Sequence, residues 1–153
     1  MILITGASGN VGKEVLKQIT QTGVEVRAAF QSVSKAAGAP SGVEIVSLDY
    51  NQAETLQTAL KGVDRVFLVG PPTAQLTALE RNAMEVIAQS DVRHVVKLSA
   101  MGGREAIFPR QRAEHYSISV GTGTSGWDVR AERSMAIAAY VITTVTTQRI
   151  SVR

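Results

Sequence analysis

The sequence predicts an α/β fold, a doubly wound parallel sheet of strand order 3-2-1-4-5, and three observations carry that prediction. Short runs rich in Val, Ile and Leu alternate with amphipathic segments of helix length. A glycine-rich turn separates the first run from the first helical segment, and turn or helix-breaking residues follow each helical segment. The runs carry apolar residues on both faces, as strands covered by helices on either side must.

In chain order, the first strand is the run at residues 1–5, and residues 10–22 form the first helix, which Gly23 ends. Residues 24–30 give the second strand. The segment 34–42 is short and rich in Ala, Gly and Pro, so it reads as a loop or a brief helical turn. Residues 43–48 form the third strand and 53–61 the second helix, which Gly62 ends. The fourth strand is 65–69, the third helix 74–90, broken by Asp91, and the fifth strand 94–99.

With 153 residues, 44% of them hydrophobic, the chain can bury one core and is short for two. It has no cysteine, which excludes a disulfide framework and thiolate zinc chemistry. No basic segment precedes the apolar residues at the start, and no run approaches the ~18 apolar residues of a membrane span. A cytoplasmic protein without membrane association is therefore expected. The net charge of +3 comes from scattered Lys and Arg with no basic run or interleaved aromatics, which argues against nucleic-acid binding. No metal site is expected.

The stretch Gly6-Ala7-Ser8-Gly9-Asn10-Val11-Gly12 is the most informative in the chain. A buried strand before it and a helix after it are the context in which such a turn cradles the pyrophosphate of a dinucleotide. Gly6 makes the tight turn, Gly9 admits the pyrophosphate and Gly12 lets the helix pack on the sheet. A mononucleotide P-loop is excluded, because Ala7 stands where its first glycine belongs and Glu14 where a Ser or Thr should follow Lys13.

An Asp or Glu after the second strand would grip the ribose 2′-hydroxyl of NAD, and none is there. Instead the stretch from Gln31 to Lys35 offers an amide, hydroxyls and a cation, which favours NADP (NADPH) over NAD. Asp49 and Tyr50, after the third strand, are placed to meet the adenine end, Asp49 being alternatively a turn former. Val69 and Gly70 close the fourth strand and Ser99 the fifth on the sheet edge where ligands of such folds lie.

The stretches MILITGASGNVG, VDRVFLVGPP and VRHVVKLSAMG resemble the NmrA-like atypical short-chain dehydrogenase/reductase family, with its NAD(P)H:quinone oxidoreductase-like and NmrA-type members. The resemblance covers residues 1–103. It implies a Rossmann domain binding NAD(P), usually NADPH, followed by a smaller substrate region. By matching position it assigns Gly6, Ser8, Gly9, Asn10, Val11 and Gly12 to the phosphate loop and Asp49 and Tyr50 to adenine. Val69 and Gly70 then fall on the ribose and nicotinamide side, and Lys97 and Ser99 on the nicotinamide edge. Gln31 stands where family members often carry the Arg that holds the 2′-phosphate, so NADP binding is expected either to be weaker or to lean on Lys35.

Many members of the wider superfamily pair a catalytic tyrosine with a lysine four residues on, which lowers the tyrosine pKa. Here Glu54, Val120 and Thr144 follow Tyr50, Tyr116 and Tyr140 at that spacing, so no such pair is encoded and the catalytic residues are unassigned. Hydride delivery to a small acceptor such as a quinone needs little acid–base help and stays open.

Beyond about residue 103 the character changes. All five lysines lie at or before Lys97, whereas arginine occurs seven times in 104–153. The stretch 121–126 reads as a flexible loop and 136–147 as an added strand. Residues 1–103 are thus expected to form the NAD(P)-binding domain, and 104–153 an atypical extension, the truncated or frame-shifted remnant of a substrate region. His94 reads as structural and His115 as an exposed helical residue, neither as a catalytic base. Three functions follow: a quinone reductase-like NAD(P)H-dependent oxidoreductase, a non-catalytic NAD(P)-binding redox sensor acting on a regulatory protein partner, and an inactive remnant. A homo-oligomer stays open, the oligomeric state being undetermined by the sequence.

Overall fold

A computed structural model describes residues 1–100, 127–132 and 140–147, with side chains through residue 98. Five strands lie parallel in the order β3-β2-β1-β4-β5: β1 (Ile2–Ile4), β2 (Val26–Phe30), β3 (Glu44–Ser47), β4 (Arg65–Leu68) and β5 (His94–Ala100). Three helices connect them, α1 (Asn10–Thr20), α2 (Ala53–Leu60) and α3 (Leu76–Ala88). The doubly wound arrangement is the one expected. Two antiparallel strands extend the sheet, β7 (Tyr140–Thr147) against β5 and β6 (Trp127–Glu132) against β7. β7 occupies the part of 136–147 where β-branched residues are densest. The stretch 121–126 and His115 lie outside the described residues, as does most of the expected 104–153 extension.

Side chains alternate between the faces of the sheet. Leu3 and Ala29 join Leu56, Leu60, Met84 and Ile87 of α2 and α3 in one cluster, whereas Ile4, Ala28 and Phe30 join Leu16 of α1 in the other. At the edge of the sheet where β1 and β4 begin, Asp64 accepts 2.8 Å hydrogen bonds from the Met1 amino group and Arg93. These two partners hold its carboxyl below the usual carboxylate range.

Three departures from the sequence reading have physical causes. α3 begins at Leu76, two residues late, because Pro71 and Pro72 carry no amide hydrogen and the chain turns instead, with Leu76 N–H donating to Thr73. β3 is largely exposed, including Ile45, since it is the sheet edge and only a short 3₁₀ turn (Val33–Ala36) joins it to β2. Arg27 stands in a strand that reads as apolar yet is buried: its Nη1 donates 2.7 Å bonds to the carbonyls of Ala59 and Lys61, and its Nη2 lies 3.0 Å from Glu44. A guanidinium thereby satisfies carbonyls that the end of α2 leaves open.

Candidate cofactor site

The turns that follow β1, β2, β3 and β4 all lie at one edge of the sheet, where the carboxyl ends of parallel strands leave a crevice. The turn after β1 supplies the floor. Gly6 has φ +60°, a left-handed conformation, and a Cβ there would come within 3.0 Å of the Val69 carbonyl oxygen. The Gly9 amide donates to the Gly6 carbonyl at 2.9 Å and starts α1 without any side-chain cap. No acidic residue stands in the first turn of α1, so its free N–H groups and positive dipole end meet no carboxylate of their own turn. A Cβ on Gly12 would run into the Gly6 carbonyl, so glycine here is what lets α1 fold back onto its own turn.

Val69, at the end of β4, is held from two sides. Its N–H donates to Thr5 Oγ1 at 2.7 Å, and its carbonyl accepts from the Tyr50 hydroxyl at 2.9 Å. Burial pushes the Tyr50 hydroxyl pKa well up; the Thr5 hydroxyl pulls it back, and the Glu80 charge adds to the rise. Asp49 accepts from its own turn, the Asn51 amide at 2.9 Å and the Gln52 side chain at 3.2 Å, and so builds the turn while the residue also lines the crevice. After β2, Lys35 Nζ donates to Gln31 Oε1 at 3.4 Å and the Ser32 and Ser34 hydroxyls share a 2.8 Å bond.

One cavity of about 510 Å³ collects most of the expected residues. Gly6, Ser8 and Gly9 line it from the first turn, Gln31 and Lys35 from the second, and Asp49, Tyr50, Val69 and Gly70 from the third and fourth. Gly12 lies behind the loop, and Asn10 and Val11 bring the first amides of α1. Lys97 does not reach the cavity: it is 1% exposed, with Nζ 3.0 Å from Glu80 Oε2, itself equally buried. Desolvation lowers its pKa, and Glu80 opposes the shift. The Ser99 side chain lies outside the described residues.

The sequence reading missed two residues beside the cavity, Thr5 and Glu80. Thr5 carries no signal beyond standing at a strand end. Glu80 does carry one, since it occupies a core position on the stripe Leu76-Leu79-Ala83-Ile87, and Lys97 interrupts Val95-Val96-Leu98 in the same way. Two opposite charges on buried faces of adjacent elements point to each other.

The sequence model of a family described as NAD(P)H-binding matches residues 6–125. The chain belongs to that family. The residues of the crevice fit such a group, with an uncapped helix start, a glycine floor that leaves the backbone exposed and a cavity in the range of cofactor sites, ~300–1,000 Å³. A reductase of (4-alkanoyl-5-oxo-2,5-dihydrofuran-3-yl)methyl phosphate from Streptomyces griseus is 37% identical over 123 residues, 77% of this chain and 43% of its own. Quinone oxidoreductase 2 of Escherichia coli is 28% identical over 105 residues, 66% of this chain and 37% of its own. The chain thus spans less than half the length of these relatives. Among solved structures, Citrobacter triphenylmethane reductase complexed with NADP(H) superposes with a TM-score of 0.73 at 26% identity, covering 82% of this chain and 46% of that one. Among the described residues, no helix is long and apolar enough to cross a membrane.

Proposed function

We propose that this chain is the cofactor-binding part of an NAD(P)H-dependent reductase that acts on a small conjugated acceptor of quinone type and prefers NADPH. The observation that carries the reading is the cavity itself, which joins the glycine turn at the start of α1 to the ends of β2, β3 and β4. Gly6, Ser8, Gly9, Asn10, Val11 and Gly12 would hold the pyrophosphate through backbone amides. Lys35, with Gln31, would meet the 2′-phosphate, and no carboxylate between Gln31 and Lys35 repels it. Asp49 and Tyr50 would meet the adenine side, and Val69 and Gly70 the ribose and nicotinamide, with Ser99 at the far edge.

Bound NADPH supplies a hydride. The similar proteins named above are reductases, acting by name on a quinone, on a dihydrofuranone phosphate and on a triphenylmethane. Such electron-poor acceptors ask the protein chiefly to orient the two partners and exclude competing reactions. The acceptor pocket would come from chain beyond residue 103.

A second reading, an NAD(P)-binding redox sensor with a protein partner, has its own support. Tyr50 lines the cavity, but its hydroxyl donates to the Val69 carbonyl and Glu54 stands four residues on, so it has no lysine partner at the usual spacing. Titration of NADPH and NADH, followed by cofactor fluorescence, separates these readings when combined with NADPH oxidation by a simple benzoquinone. Saturable binding with turnover is expected. Binding without turnover transfers the protein to the sensor class, and no saturation with either cofactor overturns both readings.

A further inference from the structure

Glu80 and Lys97 form a buried ion pair, N···O 3.0 Å with both side chains 1% exposed, between the first half of α3 and the middle of β5. Two ions so deeply buried cost several kcal/mol each to desolvate, and an apolar pair of similar volume would generally hold a helix on a sheet as well. What distinguishes this pair is where its carboxylate lies. A Cβ built on Gly70 would stand 2.9 Å from both Cγ and Oε1 of Glu80 and would also strike Leu76, so the Glu80 side chain packs directly on the Gly70 backbone. Gly70 also lines the cavity, whereas Glu80 does not. The preceding residue, Val69, is the one fixed by Thr5 and Tyr50, and the Glu80 charge is felt at the Tyr50 hydroxyl.

We propose that the Glu80–Lys97 pair is a positioning element for the cofactor cavity: Lys97 holds the Glu80 carboxylate against Gly70 and thereby fixes the Val69–Gly70 wall. Both residues act through that wall and neither touches the cofactor. Thr5 and Tyr50 fix the wall from the β1 and β3 sides, and Glu80 fixes it from behind. The inference rests on the proposed cofactor site for its consequence, and on the packing around Gly70 for its structural content.

The test uses the full chain with Lys97→Met and the charge-neutral double variant Glu80→Gln/Lys97→Met. Two quantities are measured well below the melting temperature: the NADPH dissociation constant, and hydrogen exchange at the Val69 amide, which needs no cofactor. Lys97→Met leaves a buried carboxylate without its lysine, so both NADPH affinity and Val69 protection should fall by about tenfold while exchange at the Ile4 amide stays unchanged. The double variant should bring both quantities back to within about threefold of the wild type, as coupled sites do. If Lys97→Met does not fold, Glu80→Gln alone takes its place, with losses of the same sign. A variant that melts earlier but keeps wild-type affinity and wild-type Val69 exchange overturns the inference, because the pair then only holds α3 to the sheet. If the wild type binds no NADPH, the proposed function falls, and the exchange measurement still decides whether the pair fixes the wall.

Discussion

The Tyr50 hydroxyl donates a 2.9 Å hydrogen bond to the carbonyl of Val69, which ties the turn after β3 to the turn after β4 across the ends of two intervening strands. The bond joins two residues that line the cavity and spends the hydroxyl on structure. It also explains why a tyrosine lining the cavity is not automatically a proton donor. Its proton is committed to a backbone carbonyl, and burial makes that proton hard to lose.

A pH dependence follows from this bond. Tyr50 is an acid whose folded-state pKa lies above the ordinary tyrosine value of about 10. Below that pH the folded and unfolded chains both hold the proton, and Tyr50 adds no slope. Above it the unfolded chain releases the proton while the folded chain keeps it, so stability falls as pH rises. Melting curves between about pH 9 and 11 should show this fall, and Tyr50→Phe should flatten it while lowering stability near pH 7 by about 1 kcal/mol for the lost hydrogen bond. An unchanged slope in the variant would place the alkaline loss elsewhere.

Two glycines of the first turn should respond differently to the same added methyl group. On Gly12 the Cβ meets the Gly6 carbonyl, which is backbone and cannot step aside. Gly12→Ala should therefore lose about 1–3 kcal/mol in urea unfolding and lose cofactor binding with it. On Gly9 the nearest atom is the same Gly6 oxygen but at 3.3 Å, a tight contact that a shift of a few tenths of an ångström relieves, and the residue lines the cavity. Gly9→Ala should cost about 1 kcal/mol or less, clearly less than Gly12→Ala, yet weaken NADPH binding by about tenfold or more, since the methyl stands where the pyrophosphate approaches. Equal effects at the two positions would contradict the division of roles.

The parts of this architecture that depend on period and punctuation were legible in the sequence. Val26, Ala28 and Phe30 alternate with Ala29 because β2 is buried on both faces, and Gly23 and Gly62, both at positive φ, follow α1 and α2. What the pattern cannot carry is exposure at a sheet edge: Ile45 reads as core and is solvated, because β3 is an edge strand with, among the described residues, no strand on its outer side. The glycine turn was legible since its geometry demands glycine. The family resemblance puts Lys97 at the nicotinamide edge, but which face of β5 the side chain leaves by depends on how the strand sits against α3. The partner that decides this, Glu80, is 17 residues away in sequence. Pairings of this kind belong to tertiary structure and leave only the weak trace of a charge on an apolar stripe.

The choice between cofactors should be decided at Lys35. It is exposed, borders the cavity, and bonds only weakly to Gln31 at 3.4 Å, so it is free to turn to a phosphate. A solvated cation contributes modestly, and Lys35→Ala should weaken NADPH binding about three- to tenfold while leaving NADH binding unchanged. Added salt should narrow the difference in the wild type, since exposed charges are screened. Equal losses for both cofactors would show that Lys35 does not read the 2′-phosphate.

Arg27 should prove far more costly to remove than the Glu44 it pairs with. Its guanidinium ends in the α2 carbonyls of Ala59 and Lys61, both at 2.7 Å, and pairs with Glu44, whose own side chain is half exposed. The Glu44 contact is the weaker part, because water screens it and competes for both partners. The two carbonyls are different: Arg27 is only 8% exposed, and one of its bonds is fully buried. Arg27→Met keeps most of the volume of the stem and leaves those carbonyls without their donor, which should cost about 2–4 kcal/mol of unfolding free energy, read as a lower urea midpoint at unchanged slope. Glu44→Gln should cost less than about 1 kcal/mol in the same measurement. If the two variants lose equally, the surface ion pair and not the end of α2 is what Arg27 serves.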